Sequence, residues 1–173
     1  APAAGCPTVV KSRDLVVSST SRAPPTVEAT TQMALDVPPD LQRGRHRTDD
    51  EWRASAVELL DLLASSFDLD DLAEVSLLDV GCGTKFTKVI LESDIPIGRY
   101  VGVDISSDII SFLTDNVVDT RFSFRHLNAH NDLYNPAGRP LESFTRLPVD
   151  DDPFDIISLF SVFTHLAPHD YRS

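Results

Sequence analysis

The sequence is poor in cysteine, glycine and positive charge, and it contains no long apolar run. Two cysteines in 173 residues, Cys6 and Cys82, cannot build a disulfide framework, and nothing in their spacing pairs them. A reducing, cytoplasmic setting is the simplest expectation. No uninterrupted apolar stretch approaches the ~18 residues that span a bilayer, so no integral membrane segment is expected. Ala3-Ala4-Gly5-Cys6 has the form of a lipoprotein cleavage box, but neither a basic segment nor an apolar stretch precedes it. Fifteen Lys and Arg against twenty-seven Asp and Glu leave a net charge of −12. That balance argues against a broad phosphate-binding surface, so nucleic acid is not expected as a partner. It leaves room for a local basic pocket.

What is present suffices for one domain with a core: 42% of the residues are hydrophobic. Charge is unevenly spread, with +2 over residues 1–48 and −14 over the rest. Residues 1–47 are rich in Ser, Thr, Pro and Ala and lack a sustained period, so they read as an extended arm or linker. Within that arm, Val9-Val10 and Leu15-Val16-Val17 are candidate docking contacts, and Arg43-Gly44-Arg45-His46-Arg47 reads as solvated linker.

An ordered domain is expected over 48–173. Thr48-Asp49-Asp50-Glu51 matches a capping box, in which the threonine hydroxyl takes an orphan amide and the glutamate reaches back. Trp52, Val57, Leu59, Leu60, Leu63 and Phe67 recur at roughly helical spacing, which predicts an amphipathic helix over 49–66. Val75 to Val80 is an apolar run that stops at Gly81, as in a strand buried on both faces. A helix over about 86–93, a strand over 100–104, a helix from Ser107 and a strand over 122–126 follow. A long loop with Asn135-Pro136-Ala137-Gly138 turn chemistry then leads to a last strand over 154–160. Strands alternating with helices predict an α/β fold with a doubly wound parallel sheet. Ligands of such sheets bind at the carboxyl ends of the strands.

The candidate site residues fall at those ends. Gly81 and Gly83 follow the first strand within Asp79-Val80-Gly81-Cys82-Gly83-Thr84, and glycine lets a ligand approach the backbone closely. The dinucleotide pattern would require glycine where Phe86 stands, which disfavours a nicotinamide-dependent oxidoreductase. Asp104 ends the next strand, twenty-five residues after Asp79, where a carboxylate can accept both hydroxyls of a ribose. The alternative for Asp104 is a cap on the following helix. Cys82 reads as a small loop filler rather than a nucleophile, since no base stands beside it. The His126/His130 and His165/His169 pairs lack the carboxylates that would complete a metal site, and no metal is expected.

Together, Leu78 to Thr84, Val101 to Ser106, and Phe154 to Ile157 followed by Ser161 to Leu166 resemble the motifs of class I S-adenosylmethionine-dependent methyltransferases, which have a Rossmann-like fold. The Tyr134 to Gly138 turn before Leu147-Pro148 is similar to a bacterial subgroup acting on small molecules and on cell-envelope sugars or lipids. The resemblance covers about residues 50–170. It implies that Gly81, Cys82 and Gly83 form the loop against the methionyl part of S-adenosylmethionine, with Asp79 orienting its ammonium group. It further implies Asp104 on the ribose hydroxyls, Ile105 and Asn128 near the adenine, and Ser161 to His165 along the passage to the acceptor. His165 is the candidate base for an alcohol acceptor, with an ordinary loop histidine as the alternative.

Two departures stand out. Lys85 follows Thr84 where the family writes a third glycine, so either it replaces that glycine or the loop is one residue shorter. The family's sheet has seven strands, and four are expected here; the methyltransferase domain is therefore read as its N-terminal part, incomplete at the C-terminus, or with its apolar edge covered by another segment or chain. The expected function is methyl transfer to a small molecule, with a sugar or lipid hydroxyl preferred. A catalytically silent cofactor-binding or interaction module is the alternative, and Lys85 is its best support.

Overall fold

The computed structural model describes residues 34–43, 48–142 and 145–162, all within one compact unit, Thr31–Ser173. The first helix, α1 (Asp49–Ser66), starts at the expected box: Thr48 Oγ1 accepts from the Glu51 amide at 3.1 Å, and Glu51 accepts from the Thr48 amide at 3.2 Å. Trp52, Ala56, Leu60 and Leu63 form its buried stripe, whereas Val57 and Phe67, expected on the apolar face, are exposed. Then come β1 (Leu72–Val80), α2 (Lys85–Glu92), β2 (Ile97–Asp104), α3 (Ser107–Asn116), β3 (Phe122–His126) and β4 (Ile156–Ser158). The cap of α3 is Ser106, whose hydroxyl accepts from the Ile109 amide.

The four strands are parallel, in the order β3-β2-β1-β4. The chain moves outward from β1 to β3 through α2 and α3, then returns to the other side of β1 by the long 127–155 connection. The order therefore reverses between β1 and β4, and a crevice at the carboxyl ends is the consequence. This is the α/β, Rossmann-like architecture expected from the alternating pattern.

One face of the sheet carries the main core. Leu77, Tyr100, Phe122, Phe124 and Ile156 pack there against buried residues of all three helices. The Tyr100 ring lies 5.2 Å from that of Phe122 and 6.3 Å from that of Phe124. On the other face, Leu78, Val101 and Val103 are covered by Leu147, Val149 and Phe154 of the connection.

β1 and β2 begin three residues earlier than the apolar runs predict, because Leu72 is buried and pairs with Ile97 before a register irregularity. β4 is shorter than expected. Before it, the Asp155 carboxylate accepts from the Ser76 amide at 2.8 Å, so a side chain replaces a ladder carbonyl. After it, Ser161 turns to φ +59°, which ends the extended backbone.

Residues 34–43, expected as part of an arm, pack onto the helices. Leu35 and Val37 are buried in the main core. Lys88 Nζ donates to the Leu35 carbonyl at 2.9 Å and pairs with Glu92 at 2.6 Å, and Glu92 accepts in turn from the Leu35 amide at 3.2 Å. Arg53 also pairs with Glu92. The candidate docking contacts at residues 9–10 and 15–17 lie outside the described residues. Among the described residues no helix is long and apolar enough to cross a membrane.

Candidate functional site

The turn after β1 is built from two left-handed glycines, Gly81 at φ +76° and Gly83 at φ +52°. An L side chain is strained at either angle, and a Cβ on Gly81 would lie 2.6 Å from Val162 Cγ2. The Gly81 and Cys82 amides both donate to the Val103 carbonyl, at 2.7 and 3.1 Å, which ties the turn to the end of β2. Cys82 fills the space above Gly102, where a Cβ would meet its sulfur at 2.9 Å. Burial, reinforced by the charges of Asp79 and Asp104, pushes the Cys82 thiol well above its usual range. That agrees with its reading as a filler.

This turn and the ends of β1, β2 and β4 enclose a cavity of about 400 Å³, within the range of small-molecule sites. Asp79, Gly81, Cys82, Gly83 and Asp104 all line it, with Ile105 and Ser161 beside them. Asn128 does not. Its side chain is exposed and accepts from Asn135 Nδ2 at 3.2 Å, and its carbonyl accepts from the Arg139 amide at 3.1 Å. The neighbouring Leu127, Ala129 and Asn131 line the cavity instead. His165 lies outside the described residues.

Asp79 sits below the turn on the helix-covered face. It is 3% exposed and accepts from Tyr100 Oη and Ser158 Oγ, each at 2.7 Å. Its carboxyl is pushed up to about 6: burial raises it most, the two hydroxyl donors oppose this, and the nearby Asp104 charge adds to the rise. Asp104 is equally buried but better supplied with donors. It accepts from the Ser106 amide at 2.8 Å and the Gly83 amide at 3.0 Å, so it braces both the turn and the approach to α3. The cap reading for Asp104 does not hold, since Ser106 takes that place.

Lys85 opens α2 and leaves both glycines of the turn in place. Its Nζ donates to Ser55 Oγ at 2.8 Å, and partial burial lowers its pKa. Phe86, where the dinucleotide pattern would require glycine, is buried edge-on against Phe160 at 5.5 Å.

Sequence reasoning missed Arg43 and Tyr134. Arg43 read as solvated linker, yet it reaches the cavity: its Nη1 lies 3.3 Å from Asp104 Oδ1 and its guanidinium stands 4.0 Å from the Tyr134 ring centroid. The Trp52 indole donates to the Arg43 carbonyl at 3.2 Å and fixes the backbone there. The only local signal was its place next to an ordered helix, since the partners of its guanidinium are 61 positions away or more.

Compared with known protein families, residues 78–172, more than half of the chain, match the family described as Methyltransferase domain. The chain belongs to that family. The members of this methyltransferase-domain family generally use S-adenosylmethionine, and the matched stretch begins inside β1, one residue before Asp79. Among solved structures, the chain is similar to a chain of a complex that contains the Haloferax volcanii Trm112 methyltransferase activator. That match has 20% identity and a TM-score of 0.35, and it covers 62% of this chain and 43% of that one. This chain thus spans less than half of that protein's length.

Proposed function

We propose that the protein transfers a methyl group from S-adenosylmethionine to a small-molecule acceptor, a hydroxyl of a sugar or lipid, in a cytoplasmic setting. The reading is carried by one observation: two left-handed glycines and the carboxylates of Asp79 and Asp104 border a single cavity at the point where strand order reverses. The residues suit the group. Among the described residues nothing lies within 4 Å of where a Gly83 Cβ would stand, so the backbone there is open to close approach. Asp104 would take the ribose hydroxyls, Ile105 would pack near the adenine, and Gly81 to Gly83 would face the methionyl part. Asp79 would supply negative charge opposite the ammonium group. The place that sequence reasoning gave to Asn128 at the adenine falls to Leu127 and Ala129.

When bound, S-adenosylmethionine supplies an electrophilic methyl group on a positively charged sulfur. The residues of the chain then have three tasks. The turn and Asp104 hold one partner in line with the other, and such alignment contributes several kcal/mol by effective molarity. Phe86, Phe160 and Trp52 make an apolar wall that excludes water. An alcohol acceptor must lose its proton, and His165 is the base we assign to that step.

Isothermal titration with S-adenosylmethionine and with S-adenosylhomocysteine tests the reading, with NAD as competitor. Heat from the first two and none from NAD is expected. Silence from both would remove the enzyme reading, and binding without turnover on any hydroxylated acceptor would leave a silent module. Asp104→Ala should weaken binding by about 1–3 kcal/mol, the scale of a lost charged hydrogen-bond partner. His165→Ala should lower kcat far more than it raises KM.

A further inference from the structure

Arg43 sits where the proposed cofactor would place its ribose. A carboxylate offers about four acceptor positions, two on each oxygen. On Asp104, Oδ1 uses one for the Ser106 amide and Oδ2 uses one for the Gly83 amide. One position remains on each oxygen. Arg43 Nη1 approaches both, at 3.3 Å from Oδ1 and 3.4 Å from Oδ2. A vicinal diol needs those same two positions, one for each hydroxyl.

We propose that Arg43 is an internal competitor of the ribose diol: its guanidinium and the two hydroxyls bind Asp104 in mutually exclusive fashion, and Arg43 thereby sets the cofactor affinity. The proposal rests on the cofactor reading given above. The competing contact is a weak one, because a single nitrogen is shared at long distance between two oxygens, whereas two hydroxyls can each make a short bond. Arg43 also has somewhere to remain when it yields. Tyr134 offers its ring face at 4.0 Å, and cation–π attraction holds the guanidinium at the rim of the cavity. The backbone need not move. Trp52 Nε1 holds the Arg43 carbonyl at 3.2 Å and Thr84 Oγ1 holds the Leu41 carbonyl at 3.3 Å, so the exchange is a swing of one side chain. In exchange for lower affinity, Arg43 neutralises a carboxylate whose side chain is 1% exposed, a charge that is costly to leave unpaired.

The test titrates S-adenosylhomocysteine, and its analogue lacking both ribose hydroxyls, into the wild-type protein, Arg43→Ala and Arg43→Gln. Both variants should bind S-adenosylhomocysteine about tenfold more tightly than wild type, because a competing contact has been removed. The dideoxy analogue should show no such gain. Equal or weaker binding of S-adenosylhomocysteine by folded variants would overturn the proposal and leave the cofactor reading standing. A gain shared by the dideoxy analogue would also overturn it, since Arg43 would then be blocking space rather than occupying Asp104. If neither wild type nor variants bind S-adenosylhomocysteine, both ideas fall together. A second measurement avoids substitution altogether: the side-chain ¹⁵N resonances of Arg43 in the wild-type protein should shift when S-adenosylhomocysteine is added. Resonances that stay in place at saturation would contradict the exchange.

Discussion

At the scale of single residues, the two carboxylates of the site differ in how they are held. Asp104 accepts from two backbone amides and a guanidinium, whereas Asp79 accepts from two neutral hydroxyls. Burial, only partly offset by those hydroxyls, makes Asp79 keep its proton to about pH 6 in the folded chain, against 3.8 ordinarily. Between those values the folded state holds a proton that the unfolded chain has released. The stabilisation is therefore complete below about pH 4 and is lost as the pH rises through 6, by about 3 kcal/mol. Asp79→Asn should show no such dependence at this site, since its amide can accept from Tyr100 and donate to Ser158. Denaturant titrations at pH 4 and pH 7 should show the variant gaining on wild type by about 2–3 kcal/mol. Cofactor binding should move the other way. A positively charged ligand favours the ionised carboxylate, so wild-type affinity should fall below about pH 6 and Asp79→Asn should bind weakly at every pH.

At the scale of elements, the segment 34–43 stands out because its regular structure is a single turn, Pro39–Leu41, while its ends are anchored. Leu35 is 4% exposed and both its backbone groups are bonded to α2. Leu35→Ala should cost about 2–4 kcal/mol if the segment unfolds only with the rest, and less if it comes away alone. Limited proteolysis separates the cases, because local release speeds cleavage within 34–43 without speeding cleavage elsewhere. At the other end of α1's first turn, Thr48→Ala removes half of the capping box and should cost about 1 kcal/mol in denaturant titration. The helix itself was legible in sequence to the residue, since its cap and its apolar stripe are both local. The length of β4 was not. It depends on the Asp155 carboxylate reaching the Ser76 amide, 79 positions away.

At the scale of the whole molecule, the sheet and its covering layers place the site where strand order reverses, and residues 34–43 pack onto that body. A chain lacking residues 1–47 removes Leu35 and Val37 from the core. Burial of such side chains contributes about 1.5–3 kcal/mol each, so its Tm should fall by many degrees relative to the full chain. An unchanged Tm would show that residues 34–43 rest on the domain without stabilising it.

Local chemistry was decided by sequence: the strand–helix alternation, the two glycines after β1, the capping box, and the acids that end β1 and β2. Each depends on neighbours within a few positions, where periodicity and backbone preference leave a visible trace. Tertiary structure alone decided what those acids meet. It brought Ser158 and Tyr100 to Asp79, carried Arg43 across 61 positions to Asp104, and turned Asn128 outward. Such pairings are fixed by which distant segments share a cavity wall, and no local pattern encodes that.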